Sequence, residues 1–329
     1  MVNIKELTGR NLSQSNRMLV KNAYDRGVEF KKLKNGKFKM SHDGKSYIVR
    51  GGRATQSPNT KLAMKIVKYK NTSSSLLRNL GFPCPQNAIF TSNEIDRAWN
   101  WAKSILPVVI KPNDGSMGKL VFVKIEDYDE FVSCFKKVSK KHSQILIEQF
   151  VSGEEYRFSF IKDEVVAVAK RVPANVVGDG KHTIEELINI KNKERDKRKN
   201  PLHKKLDTKE ETVRVLKKHG LSLTDIPSLG EIIYLRSNSN ISTGGDGIDM
   251  TDSINPAIKD SVTKAIRSIP GLRVCGADIL INGDEYSIIE INSHAMLSMH
   301  HFPWEGEKRD VITQLVDYMF PNTVKQLDE

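Results

Sequence analysis

The order of apolar and polar positions predicts a small lobe at the start of the chain. Apolar residues recur at helical spacing over 16–26, and three short segments between 27 and 50 alternate as half-buried strands do. Asp43 and Gly44 separate two of these segments, which is typical of a hairpin turn. We therefore expect a short α/β lobe over residues 1–60.

The remaining residues, 61–329, predict one larger α+β domain in which helical and strand patterns follow each other. A helical pattern over 60–80 ends at Gly81, a residue type that commonly follows a helix. Strand and helix patterns over about 105–150 predict a compact α/β subdomain within it.

Two acidic residues interrupt apolar strand patterns near the end of the chain. Asp278 lies in the pattern over 274–281, Glu290 lies in the pattern over 286–291, and an Asn-Gly-Asp turn separates them. If these strands pair, the two carboxylates lie close together, and Asn292 points to the same face as Glu290. Two carboxylates and an amide oxygen suit Mg²⁺. The alternative is that a basic side chain pairs with each buried carboxylate.

Lys111 ends an apolar strand pattern just before a glycine-containing turn, 113–118. A lysine beside backbone amides that glycine leaves accessible can bind phosphate, although glycine turns between strands are also common without a ligand. Further on, Glu148 is followed by a short linker and, seven residues later, by Glu155. Such a linker could bind an adenine edge and the carboxylate a ribose. An ordinary turn with solvated glutamates is the alternative.

Composition narrows the class of protein without naming a ligand. The 329 residues are 38% apolar and 28% charged, as in folded globular domains. The longest aliphatic run is five residues, far below the roughly 20 of a membrane span. Three widely spaced cysteines and a charged first segment favour a reducing, cytoplasmic location without a signal peptide.

The charge sum, 52 − 40 = +12, favours anionic partners of several kinds. The stretch 191–199 carries six bases in nine residues and is interpreted either as an anion-attracting arm or as a solvated helix end. We expect no nucleic-acid partner, because this stretch lacks interleaved aromatic residues and any known reader motif. We also expect no membrane partner.

The order of these motifs resembles that of the ATP-grasp ligases. Two longer runs sharpen the likeness, 170–184 (KRVPANVVGDGKHTI) and 235–249 (LRSNSNISTGGDGID). They resemble the ATP-grasp part of cyanophycin synthetases and of the bifunctional glutamate–cysteine ligase/glutathione synthetase. The resemblance covers about residues 52–322. The chain is too short to carry the second half of either relative, so the resemblance leaves the substrates open.

The resemblance implies an ATP-grasp fold in which two α+β subdomains clasp ATP and residues 105–150 form a lid. The implied ATP ligands are Lys70 and Lys111 for the phosphates, the turn Gly115, Ser116, Met117 and Gly118 as a cover, the linker Glu148, Gln149, Phe150 and Val151 for the adenine, and Glu155 for the ribose. The implied metal ligands are Asp278, Glu290 and Asn292, holding two Mg²⁺ ions, with Mn²⁺ as the alternative.

The implied chemistry is phosphoryl transfer to a substrate carboxylate, followed by attack of an amine on the acyl-phosphate to give an amide. Arg236 and Arg171 are the candidate catalytic cations, and a surface ion pair is the alternative role for either arginine. In some relatives an arginine stands two residues before the metal-binding aspartate, where this chain has Gly276.

Expected substrates are amino acids or short peptides. Candidate enzymes are a stand-alone glutathione-synthetase-like ligase, a cyanophycin-like polymer ligase and a ligase that tailors a peptide natural product. The alternative is a non-catalytic ATP-binding or interaction module. A monomer and a homo-oligomer both remain open.

Overall fold

The computed structural model describes residues 3–115 and 118–323, which form two compact units. The first unit takes its residues from Met1–Val168, Thr251–Ser298 and Arg309–Glu329, and the second from Ala169–Met250 and Met299–Lys308. No helix in the described part of the chain has the length and apolar character that a membrane crossing requires.

Helices and strands occur throughout both units, as the predicted α+β class requires. The helices are α1 Ile4–Thr8, α2 Gln14–Asp25, α3 Lys61–Lys68, α4 Lys70–Asn79, α5 Ile95–Ala102, α6 Tyr128–Ser139, α7 Ile184–Arg198, α8 Glu210–Lys218, α9 Pro256–Arg267, α10 Ser298–His301 and α11 Val311–Met319. The strands are β1 Glu29–Leu33, β2 Lys37–His42, β3 Lys45–Val49, β4 Asn87–Phe90, β5 Val108–Pro112, β6 Phe122–Ile125, β7 Ile145–Gln149, β8 Glu154–Ile161, β9 Glu164–Val172, β10 Asn175–Val177, β11 Ile232–Tyr234, β12 Asp246–Asp249, β13 Val274–Asn282 and β14 Glu285–Asn292.

The predicted leading helix and hairpin are present in the first unit. Strands β1, β2 and β3 form an antiparallel meander, and Asp43 and Gly44 take left-handed conformations in the β2–β3 turn. Phe38 and Met40 of β2 pack into one core with residues of α2 and α11. Because α11 lies far along the chain, this core is not built by residues 1–60 alone, and the proposed lobe boundary stays a prediction.

The helix predicted over 60–80 is interrupted, and the interruption fixes the position of Lys70, a predicted phosphate ligand. Tyr69 has an extended backbone conformation between α3 and α4. At the start of α4, the Lys70 amide donates to the Asn113 carbonyl at 3.1 Å, and the Asn71 amide donates to the Asn113 side chain at 3.0 Å. These bonds join the start of α4 to the turn after β5, so Lys70 lies beside that turn.

A second core of the first unit holds β5 and β7, which carry candidate site residues. These strands form an antiparallel sheet in the order β4-β7-β5-β6. Its core contains Ile110 and Ile147 from the sheet, and Phe131 and Phe135 from α6. The predicted subdomain at 105–150 falls largely within this sheet, and its role as a lid stays a prediction.

The strands that carry the acidic candidates pair as predicted. Strand β13 lies between β8 and β14, antiparallel to both. Asp278 is the register partner of Glu290 on one side and of Arg157 on the other. The two carboxylates therefore project from neighbouring positions on one face of the sheet.

The second unit contains two antiparallel strand pairs, residues 169–172 of β9 with β12, and β10 with β11. The basic stretch at 191–199 is only partly a solvated helix end. Lys191 and Arg195 donate to the buried Asp246 carboxylate at 2.6 and 2.7 Å, and Arg195 is 3% exposed. Part of the basic stretch therefore neutralises a buried acid within this unit.

Candidate active site

One cavity of about 420 Å³ in the first unit gathers most of the predicted site residues. Cavities of this size commonly hold small molecules. Eleven predicted residues line it, namely Lys70, Lys111, Gly115, Gly118, Glu148, Gln149, Phe150, Val151, Glu155, Asp278 and Glu290. Ser116 and Met117 lie outside the described residues. Positions spread over more than 200 residues of sequence therefore converge on one cavity.

Lys111 and Glu148 form a buried ion pair in the cavity wall. They lie on the neighbouring strands β5 and β7, and the Lys111 Nζ donates to Glu148 Oε1 at 2.5 Å. Both side chains are almost fully buried. The second carboxylate oxygen, Glu148 Oε2, is buried without a hydrogen-bond partner among the described residues. A buried acceptor in this state is costly unless a donor satisfies it.

Lys70 links the glycine turn to the acidic strands. Its Nζ donates to the Gly115 carbonyl at 2.7 Å and lies 3.1 Å from Glu290 Oε1. The side chain is 8% exposed, so its charge lies in the cavity wall rather than in solvent.

The linker after β7 passes close to β13. A side chain at Gly153 would place its Cβ 2.8 Å from the Ile281 carbonyl oxygen, and Gly153 has φ +151°, a value that L-residues rarely adopt. Glycine therefore lets the linker Gln149–Val151 and the following strand β8 approach the acidic strands closely.

Asp278 is bound by an arginine that sequence reasoning missed. Arg157, on β8, donates from Nε and Nη2 to the two Asp278 carboxylate oxygens at 2.6 and 3.1 Å. Burial alone would lower the pKa of Arg157, but the adjacent Asp278 carboxylate raises it above its ordinary value. A charged residue inside an apolar strand was the signal, the same one that identified Asp278.

Gly276 makes room for this arginine. A Cβ at Gly276 would lie 2.8 Å from Arg157 Cδ and 3.0 Å from its Nη1. The position at which some relatives carry an arginine is thus glycine here, and the guanidinium of Arg157 occupies the adjacent space.

Asn292 lies beside Asp278 and Glu290, and we refer to these three residues as the acidic cluster. Its side-chain nitrogen donates to Asp278 Oδ2 at 3.2 Å, and it is the register partner of Gly276. The three predicted metal ligands are therefore held on one face of β13 and β14.

The two arginines predicted to be catalytic belong to the second unit. Arg236 donates to Asp207 at 2.8 Å and to Thr212 at 3.2 Å, and Arg171 donates to Asn240 at 2.9 Å. Arg236 has the ion pair that the sequence left open as its alternative role. A catalytic role for either residue stays a prediction.

Comparison with known proteins decides the family. A model described as an ATP-grasp domain matches residues 67–296. The chain belongs to the ATP-grasp family. This confirms the predicted superfamily and α+β fold.

Relatives of this ATP-grasp chain include much longer proteins. It is 36% identical over 329 residues to the glutathione biosynthesis bifunctional protein GshAB of Clostridium perfringens, covering 94% of this chain and 41% of that protein. A bifunctional glutathione synthetase from Pasteurella multocida matches with a TM-score of 0.68 and 29% identity, over 95% of this chain and 44% of that one. The chain thus spans less than half the length of these relatives.

A structure of similar length supports the fold assignment only, because its sequence identity to this chain is low. The ATP-grasp ligase PsnB, complexed with a minimal precursor, Mg and ADP, matches with a TM-score of 0.53 and 14% identity, over 95% of this chain and 99% of that one.

The cavity of this ATP-grasp domain fits a nucleotide. Apolar side chains from three parts of the first unit, among them Val109, Phe150 and Leu280, suit an adenine ring. The unsatisfied Glu148 Oε2 suits an amino-group donor such as the exocyclic amine of adenine. Lys70 and Lys111 supply the positive charge that phosphates need.

The acidic cluster fits Mg²⁺, which prefers a few carboxylates supplemented by phosphate oxygens and water. Asp278 and Glu290 provide two hard oxygen ligands on one sheet face, and Asn292 provides an amide. Each carboxylate is meanwhile balanced by a cation, Arg157 or Lys70. The described residues contain no cluster of three or more His, Cys, Asp or Glu side chains suited to a metal.

Proposed function

We propose that the protein joins a carboxylate to an amine at the expense of ATP, forming an amide bond and releasing ADP and phosphate. The observation that carries the proposal is the convergence of two lysines and two carboxylates on one nucleotide-sized cavity. The substrate carboxylate accepts the γ-phosphoryl group to give an acyl-phosphate. The amine then attacks the acyl carbon, and phosphate leaves.

In this proposal the chain binds and orients the nucleotide. Lys70 and Lys111 hold phosphate oxygens, and the linker Gln149–Val151 with Glu155 holds the nucleoside. Asp278, Glu290 and Asn292 would hold Mg²⁺, as two ions. The metal, when bound, neutralises the charge that develops on the transferring phosphoryl group. Gly115 and Gly118, which line the cavity, would lie beside the phosphates and help to limit hydrolysis of the acyl-phosphate.

Arg157 is our candidate for the cation that stabilises the transition state. Its guanidinium binds Asp278, one of the predicted metal ligands that line the cavity. Arg236 and Arg171 remain the candidates that the sequence predicted.

The proposed substrates are an amino acid and a short peptide. The bifunctional relatives are named for glutathione biosynthesis, which supports γ-glutamylcysteine and glycine as the first pair to test. The region shared with these relatives includes nearly the whole of this chain. A ligase that builds a polymer and a ligase that tailors a peptide natural product remain the alternatives within the same reaction class.

The test measures ADP and phosphate release with paired substrates. We expect release only when a carboxylate substrate and an amine are both present, with the amide product detected by mass spectrometry. Glu290→Ala should abolish turnover because it removes a metal-binding carboxylate, whereas Glu285→Ala, an exposed acid on the same strand, should not. ATP binding without ADP release from any substrate pair would indicate a non-catalytic module instead. A fully active Glu290→Ala enzyme would refute the metal assignment.

A further inference from the structure

An ion pair joins a predicted phosphate ligand, Lys70, to a predicted metal ligand, Glu290. Both side chains line the cavity, and the Lys70 Nζ lies 3.1 Å from Glu290 Oε1. In the part of the chain that the structure describes, Lys70 is the only ion-pair partner of Glu290. In the free protein, each of these two groups therefore occupies the other.

The backbone of Lys70 is anchored, whereas its charge has one charged partner. Lys70 begins α4, and its amide donates to the Asn113 carbonyl at 3.1 Å. The Nζ donates to the neutral Gly115 carbonyl at 2.7 Å. The backbone bond keeps the residue beside the glycine turn, while the flexible lysine side chain allows the ammonium group to move between nearby anions.

The other carboxylate beside the cavity is held more firmly. Arg157 donates two hydrogen bonds to Asp278, at 2.6 and 3.1 Å, and both side chains are about one-tenth exposed. Glu290 has a single contact with a charged group, and its side chain is 26% exposed. Glu290 is therefore the carboxylate whose basic partner exchanges more readily.

The ammonium group of Lys70 and a divalent cation compete for Glu290. Two cations beside one carboxylate repel each other, and charges in a cavity wall are screened less than charges in solvent. A phosphate group attracts the Lys70 ammonium through charge-assisted hydrogen bonds. A bound phosphate would thus draw the ammonium away from Glu290 and remove the repulsion.

We propose that Lys70 is an exchangeable counter-ion that withholds Glu290 from Mg²⁺ until a nucleotide binds. This inference rests on the proposed function and adds regulation to the same site. The nucleotide phosphates draw Lys70 from Glu290, and Glu290 then becomes available to the metal. The free protein accordingly binds Mg²⁺ weakly, and nucleotide and metal bind with a positive cooperativity that depends on Lys70.

The experiment measures binding of Mn²⁺ to the full chain without nucleotide, using electron paramagnetic resonance to follow the free ion. Lys70→Met removes the ammonium group and should bind Mn²⁺ about 10-fold more tightly than the wild type, within the usual range of coupling between two ligands. Lys70→Gln removes the same charge but keeps a hydrogen-bond donor, and it should show the same gain even if Lys70→Met folds poorly. Lys70→Arg keeps the charge and should bind Mn²⁺ as the wild type does.

Two controls separate the ion pair from a general effect of charge. Lys119 lines the same cavity, and its side chain makes no ion pair within the described ranges. Lys119→Met should therefore leave the Mn²⁺ affinity near that of the wild type. The double variant Lys70→Met/Glu290→Gln should lose the gain. Thermal unfolding midpoints without metal establish that each variant is folded.

Coupling to the nucleotide is measured by calorimetry of ADP binding with and without Mg²⁺. Mg²⁺ should raise the ADP affinity less in Lys70→Met than in the wild type. Binding of Mg²⁺ to ADP in solution is the same in both measurements, so the difference between the two proteins reports coupling within the site.

The inference and the proposed function can fail separately. Equal Mn²⁺ affinities of the wild type, Lys70→Met and Lys70→Gln would overturn the inference even in an active ligase. A gain that persists without Glu290, or that Lys119→Met reproduces, would overturn it as well. If the gain requires Glu290 but no substrate pair yields ADP, the inference stands and the proposed function alone fails.

Discussion

Arg157 and Asp278 are direct partners across β8 and β13, joined by two hydrogen bonds and both about nine-tenths buried. On its other side Asp278 faces Glu290, which is paired with Lys70. The two carboxylates and their two basic partners therefore carry no net charge when no metal is bound. This reconciles the two interpretations that the sequence left open, since a basic partner in the free protein and a metal in the loaded one can use the same carboxylates.

Removing the charge of Arg157 should destabilise the metal-free protein and make its free energy of unfolding depend on Mg²⁺. Arg157→Met keeps an unbranched apolar side chain at this position but leaves Asp278 buried without its cation. We expect a loss of about 3 kcal/mol in the free energy of unfolding, partly restored by millimolar Mg²⁺. Denaturant unfolding with and without MgCl₂ measures both effects.

The control for this variant is an arginine–aspartate pair in solvent. Arg273 and Asp163 are about half exposed and 3.4 Å apart, so Arg273→Met should cost no more than about 1 kcal/mol and should not respond to Mg²⁺. Equal losses of unfolding free energy for the two variants would contradict the claim that burial makes the Arg157–Asp278 pair more important for stability. A loss at Arg157 that Mg²⁺ does not change would contradict the metal assignment of Asp278.

The ion pair of Lys111 and Glu148 should show strong coupling. Lys111→Met leaves the Glu148 carboxylate buried and unpaired, which we expect to cost about 3–5 kcal/mol. The double variant Lys111→Met/Glu148→Gln removes both charges and should be substantially more stable than Lys111→Met. A double-variant cycle in denaturant gives the coupling energy, and additive losses would show that the pair is not coupled.

Local pattern predicted much of the fold, and pattern together with the family resemblance predicted eleven of the residues that line the cavity. The β13–β14 hairpin was predictable because two apolar strands flank an Asn-Gly-Asp turn. The turn alone would pair Asp278 with Ile289, and a register shift between Asp278 and Ile279 makes Glu290 the partner instead. The break at Tyr69 was not predictable, because the pattern is helical on both sides. Long-range bonds from Asn113 to the start of α4 accompany the break.

The ion-pair partners of the arginines could not be predicted from the sequence. Arg157 was missed because the sequence gives no sign that β8 and β13 are neighbours, and their pairing alone reveals its contact with Asp278. The sequence favoured Arg236 instead, whose partner Asp207 lies 29 residues away along the chain. Distant strand pairings and ion pairs depend on the whole fold, so spacing within one segment cannot supply them.

The close approach of chain segments at Gly245 should make that position intolerant of a side chain. A Cβ there would lie 2.8 Å from the Val172 carbonyl oxygen and 2.9 Å from two others. Gly245→Ala should therefore lower the free energy of unfolding by about 1–3 kcal/mol. Gly247, two residues later, would place its Cβ no closer than 3.5 Å to any neighbour. Gly247→Ala should be nearly neutral, and similar losses at both positions would contradict the argument.

His203 should make the second unit sensitive to acid. The imidazole is 9% exposed, its Nδ1 has no hydrogen-bond partner among the described residues, and its ring meets the edge of Trp304. Burial lowers the pKa of His203 to about 4, and nearby Arg195 contributes in the same direction. The folded protein therefore holds this histidine neutral at pH values where the unfolded chain is already protonated.

The sign of the effect follows from this difference in proton binding. Above pH 6.5 the histidine is neutral in both states and has no influence. As the pH falls from about 6.5 to about 4, the unfolded state gains a proton that the folded state does not, so stability decreases, by on the order of 2 kcal/mol at pH 4.5. Urea unfolding at a series of pH values from 7.5 to 4.5 should show this loss. His203→Asn should flatten the profile relative to the wild type, whatever its absolute stability. If the two profiles stay parallel, His203 is not the group responsible.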